Sequence, residues 1–75
     1  MSNGGGLEGS VLEGKVEEAL PRGLFAVRCD DGRRVVATLS TAARRVIVKI
    51  IPGDRVLVEL SAFDPSRGRI KARLD

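Results

Sequence analysis

Apolar and polar residues alternate in short stretches along this chain, and each stretch predicts a strand. Val56, Val58 and Leu60 share one face of a segment opened by Arg55, while Leu57 and Glu59 fall with Arg55 on the other. Further on, Ile70, Ala72 and Leu74 alternate with Arg69, Lys71 and Arg73. Upstream, a first strand is expected over about Ser10 to Leu20, closed by the turn Pro21-Arg22-Gly23. A second is expected over about Leu24 to Cys29, with Phe25, Val27 and Cys29 on one face, and a third over about Arg33 to Leu39. Asp30-Asp31-Gly32 joins those two as a hairpin turn, because Asp-Gly readily takes positive φ. The fourth and fifth strands follow the turns Pro52-Gly53-Asp54 and Ser66-Arg67-Gly68.

The period breaks once. Ser40-Thr41-Ala42-Ala43-Arg44-Arg45 does not alternate, and Ser40 is a good N-cap ahead of two alanines, so a short helix is expected from about Thr41 to Arg45. Five short strands with a small helix between the third and fourth give the order of an all-β oligonucleotide-binding (OB) barrel. An SH3-like barrel has as many strands but needs no helix there. Gly4-Gly5-Gly6 is costly in backbone entropy, so residues 1–8 are expected to form a flexible arm ahead of an OB domain over residues 9–75.

Length narrows the function. A chain of 75 residues is one domain with no room for both a core and a deep substrate cavity. The stretch from Met1 to Gly6 has neither the basic patch nor the apolar run of a secretory signal, and charge interrupts every apolar run before it could cross a membrane. Cys29 is the single cysteine, which suits a reduced compartment, and a cytoplasmic location is expected.

Charge redirects the reading toward a polyanion. The net charge of +3 is segregated: residues 1–18 hold one base and four acids, and the remainder holds twelve bases and six acids. Arg33 to Lys49 contains five bases and no acid, and Arg67 to Arg73 adds four more without an acid. A charge run is often only a solvated face, but two acid-free basic segments in so short a chain favour RNA phosphate. The candidate contacts are Arg44 and Arg45 on the helix, whose guanidinium forks match phosphate oxygens, together with Lys49, Arg67, Arg69, Lys71 and Arg73. The strand cations could also serve as protection of a sheet edge.

The aromatics divide. Phe25 shares a face with Val27 and Cys29 and reads as core. Phe63 stands between Ser61 and Asp64, where packing over the barrel's end is weighed slightly above base stacking. So few aromatics suit a module that recognises folded RNA by shape and phosphate. With no histidine and one cysteine, a zinc site is not expected, and Cys29 reads as a small buried apolar residue. Glu17-Glu18 and Asp30-Asp31 are sequence neighbours that a strand sends to opposite faces, so they make poor acid–base pairs, and no enzyme and no cofactor are expected.

Glu13-Gly14, Val16, Glu18, Leu20-Pro21, Phe25, Val27 and Asp31-Gly32 open a longer pattern. It continues through Gly53-Asp54-Arg55-Val56, Val58-Glu59-Leu60, Phe63-Asp64 and Ser66-Arg67-Gly68-Arg69-Ile70. On these residues the chain resembles the bacterial translation initiation factor one family, from about Glu13 to Arg73 and without a gap. The resemblance implies a one-domain barrel, monomeric, that binds the small ribosomal subunit in the decoding region beside the acceptor site, together with two other initiation factors. It also adds Ser40, which the family shares, to the candidate RNA contacts. One stretch departs from the family: Thr38 replaces a histidine, Thr41, Ala42 and Ala43 replace Gly-Lys-Met, and Val46 replaces an asparagine, leaving Ser40 and Arg44. That departure fits a divergent second copy of the factor. A general RNA-binding or RNA-chaperone barrel is the alternative it favours, and a protein-interaction module is the third.

Overall fold

A computed structural model describes residues 10–47 and 49–74. The arm expected over residues 1–8 lies outside them. Five strands and one helix follow in order: β1 (Val11–Leu20), β2 (Leu24–Cys29), β3 (Arg34–Leu39), α1 (Thr41–Val46), β4 (Arg55–Leu60) and β5 (Arg67–Leu74). The sheet closes on itself in the order β1-β2-β3-β5-β4, with β4 returning to β1. All neighbours are antiparallel except β3 and β5, which run parallel from Val36↔Arg67 to Leu39↔Ile70. This is the OB barrel that the strand–helix order predicts, with α1 on the connection from β3 to β4.

Alternation puts the core where it was expected. Val56, Val58 and Leu60 are buried, and so are Val16, Val27, Val35 and Ile70 from the other strands. A narrow barrel filled from all sides suits valine, whose branched side chain packs on a pleated surface and leaves no space for large rings. Phe25 packs partly buried against this core, as its strand face predicts.

Two bulges bend the barrel. Glu17 is the extra residue of β1, since Val16 pairs with Val27 and Glu18 already with Ala26. Lys71 is the extra residue of β5, since Leu57 pairs with Ala72 and Val58 with Ile70. A bulge increases local twist, which a closed five-stranded sheet needs.

The turn before β5 departs from the sequence reading. Arg67 and Gly68 do not form a turn; they already belong to β5. The chain reverses earlier, where the Ser61 hydroxyl accepts the backbone N–H groups of Phe63 and Asp64, both at 3.2 Å. The Asp64 carboxylate then accepts the Ser66 backbone N–H at 3.1 Å and its hydroxyl at 2.6 Å. Gly68 answers to crowding, because a Cβ there would sit 2.6 Å from the Glu59 carbonyl oxygen across the ladder.

Candidate nucleic-acid interface

Helix α1 is built to project cations. Ser40 caps it, its Oγ accepting the Ala43 backbone N–H at 3.0 Å, and the Ile47 N–H closes the other end on the Ala43 carbonyl. Ala43 is the helix residue that is buried, so Arg44 and Arg45 stand exposed in the last turn, where they also complement the helix dipole. The helix packs on β5, and the Ser40 N–H donates to the Ile70 carbonyl at 3.0 Å. Arg73 on β5 reaches back to the segment after the helix and donates from Nη1 to the Lys49 carbonyl at 3.1 Å. Arg44, Arg45, Lys49 and Arg73 thus belong to one structural unit, α1 with its strand.

Ion pairing sorts the basic residues. Glu17 takes both Arg28 and Arg34, at 3.1 and 3.0 Å, from its bulge on β1. These two arginines hold its carboxyl below the usual glutamate range by hydrogen bonding. Arg55 spans Asp30 at 2.7 Å and Glu13 at 3.1 Å, which keeps the guanidinium firmly protonated and lowers the Asp30 carboxyl. Arg33 pairs with Asp31 at 2.9 Å. The acidic opening of the chain therefore neutralises bases of β2, β3 and β4. Among the described residues, seven cations have no acid within salt-bridge distance: Lys15 on β1, Arg22 at the β1–β2 tip, and Arg44, Arg45, Lys49, Arg69 and Arg73, which α1, its following segment and β5 carry.

Three expected contacts change character. Ser40 is 5% exposed, and its hydroxyl accepts the Ala43 N–H as the cap of α1, so what the structure shows for it is the support of the helix. Lys71, on its bulge, lies 3.6 Å from Glu59, so the β5 cations are not all unopposed. Arg67 is held loosely, 3.7 Å from Asp64, whose carboxyl Ser66 keeps below the usual range. Phe63 overturns the packing reading: it is 89% exposed and covers nothing at the barrel's end. The turn's hydrogen bonds fix the backbone around it and leave the ring outside.

The sequence reading missed Arg22. It sits exposed at the β1–β2 tip with φ 67° and ψ 31°, a left-handed conformation unusual for arginine. The turn was legible there, but an arginine beside a glycine gave no sign that both residues would take positive φ. Cys29 is buried, and burial pushes its thiol up, so it is unreactive packing. Among the described residues no cluster of histidine, cysteine or carboxylate could hold a metal.

This closed five-stranded barrel has known counterparts. The family model for translation initiation factor 1A / IF-1 matches residues 7–75. The chain belongs to that family. It is 52% identical over 62 residues to the chloroplastic translation initiation factor IF-1 of Pinus koraiensis, covering 83% of each chain. The factor of the same name from Ceratophyllum demersum is 45% identical over 64 residues, 85% of this chain and 83% of that one. Among solved structures, the solution structure of the corresponding translation initiation factor from the Wolbachia endosymbiont strain TRS of Brugia malayi superposes with a TM-score of 0.71 at 40% identity. That match covers 88% of this chain and 78% of the other. The role of this family member is in translation initiation, and its fold is the OB barrel.

Proposed function

We propose that this factor binds the small ribosomal subunit beside the acceptor site of the decoding region and assists assembly of the initiation complex with the two other initiation factors. The observation that carries the reading is the sorting of charge. Cations of β2, β3 and β4 are spent on the protein's own acids, while Arg44, Arg45, Lys49, Arg69 and Arg73 present phosphate-binding groups on α1, its following segment and β5. Guanidinium groups without an internal partner match phosphate oxygens in a folded RNA, and a surface so placed reads backbone shape more than base sequence.

The factor acts by binding alone, as a monomer without cofactor or metal. It works where its ribosomes work; the two plant relatives are chloroplast proteins, as their names state. Sedimentation with isolated small subunits, with and without the other two factors, tests the proposal. Saturable, stoichiometric co-sedimentation that the other factors strengthen is the expected result. Equal affinity for arbitrary RNA would favour the general RNA-binding reading, to which Ala42 in place of the family's lysine lends its support.

A further inference from the structure

The β1–β2 tip holds an arginine in a conformation that disfavours the fold. Arg22 has φ 67° and ψ 31°, and Gly23 beside it has φ 73°. Glycine occupies that left-handed region freely and asparagine tolerates it, whereas the Cβ of an arginine is crowded there. Among the described residues the other positive φ values all fall on glycines, Gly23, Gly32 and Gly53. Nothing inside the barrel compensates for the strain. Arg22 is exposed, as are Pro21 and Gly23 on either side of it. Its guanidinium has no acid within salt-bridge distance among the described residues.

Position decides what the side chain can meet. The β2–β3 ladder ends at Leu24↔Thr38, so the tip projects past it toward Leu39 and Ser40, where β3 passes into α1. On the far side of β3, Thr38 pairs with Arg69 of β5. The end of β3 thus has Arg22 on one flank and Arg69 on the other, with Arg44 and Arg45 following directly on α1. Lys15 is the other unpaired cation outside α1 and β5, and it differs on both counts. It lies mid-strand, between Arg28 and Arg55 of the neighbouring strands, and its backbone is extended. We infer that Arg22 is a phosphate contact that fixes how the factor lies on its bound RNA, an inference that rests on the RNA-binding reading above. Backbone strain of this kind collects at ligand-binding positions. The α1 and β5 cations form one group, and a guanidinium fork on the opposite flank of β3 adds a point outside it. Phosphate contacts so spread set orientation and register.

Stability and binding are expected to move in opposite directions at this residue. Arg22→Asn suits the same backbone, so the melting midpoint should rise by a few degrees. Small-subunit affinity should fall about three- to tenfold, and the salt slope should lose just under one unit. Arg22→Lys keeps both charge and strain, so slope and midpoint should stay as in wild type while affinity falls less. Unchanged affinity and slope in Arg22→Asn would overturn the inference and leave the arginine a solvated turn residue. Weaker binding at an unchanged slope would assign Arg22 to a protein surface and overturn the phosphate contact. A lower midpoint for Arg22→Asn would make the side chain a support of the fold, which overturns it as well. A second measurement does without the ribosome. A short RNA hairpin titrated into the free protein should shift the nuclear magnetic resonances of the Arg22 side chain and the Gly23 amide together with those of Arg44 and Arg45. If wild type fails to bind subunits, the proposed function falls and the hairpin titration decides Arg22. Shifts at the tip would then sustain the phosphate contact, and unmoved tip resonances would overturn it.

Discussion

Replacing one hydrogen at position 68 by a methyl group asks two strands to move apart. The new Cβ would lie 2.6 Å from the Glu59 carbonyl oxygen and 3.0 Å from a Val58 methyl. Backbone cannot rotate away as a flexible side chain could, so Gly68→Ala is expected to cost about 1–3 kcal/mol, read as a drop in the denaturation midpoint. Glu17 gives a second expectation. Its two arginine partners hold its carboxyl below the ordinary value of 4.5. The unfolded chain then binds the proton more tightly than the folded one, so this contribution is present above about 4.5 and is lost as pH falls through the folded-state value. Urea midpoints measured at falling pH should decline, and Glu17→Gln should flatten part of that decline. Because the groups are exposed, added salt should shrink the difference. Both residues show where single-residue reading stops. A glycine between two arginines looks like a turn, and Glu17 looks like a lone solvated acid. Only the neighbour across the ladder reveals otherwise, and strand register is not written locally.

At the scale of elements, local chemistry was more informative. Ser40 ahead of two alanines announced α1, which the structure extends by one residue to Val46. Alternation placed β2 at its observed bounds and β4 in the right register to the core. The turn before β5 was misplaced because its Ser61 and Asp64 hydrogen bonds precede the glycine that drew attention. Helix α1 also carries the departure from the family, and here burial decides which residue can be changed. Ala43 is buried, but Ala42 is exposed. Restoring a lysine through Ala42→Lys is therefore expected to leave the fold intact, since the two residues differ little in helix propensity. Small-subunit binding should tighten, and its salt slope should steepen by somewhat under one unit for the added phosphate contact. Binding that stays flat would mean that this loop docks elsewhere than on phosphate.

For the whole molecule, the sequence showed that charge is segregated but not which charges survive folding. Its two acid-free segments nominated Arg44, Arg45, Lys49, Arg67, Arg69, Lys71 and Arg73 as phosphate contacts. The barrel then brought Glu13, Glu17 and Asp30 onto Arg55, Arg28 and Arg34, and Glu59 onto Lys71. Among the described residues Arg67 keeps a loose acid partner, while Arg44, Arg45, Lys49, Arg69 and Arg73 have none. If each of these neutralises one phosphate, log affinity for the small subunit should fall against log salt with a slope of roughly −3.5 to −4.5. Replacing Arg44 and Arg45 together by alanine should remove between one and two units of that slope, with the melting curve nearly unchanged. Replacing Arg28 and Arg34 should do the reverse, disturbing stability a little and the slope hardly at all. Equal slopes for the two double variants would mean that ion pairing inside the barrel does not govern which arginines meet RNA.

The parallel pairing of β3 with β5 has a consequence for how the factor is made. Strand β5 enters the sheet between β3 and β4, so a nascent chain that has produced only β1 to β4 has two uncovered edges and no closed core. Pairings this distant in sequence form late and slowly. The segment that completes the barrel is also the one that carries Arg69 and Arg73 and supports α1. Closure of the barrel and assembly of that cationic surface thus arrive in a single event, once the last strand is free to pair. An unfinished chain therefore lacks both the closed core and the assembled cationic surface that β5 and α1 present together.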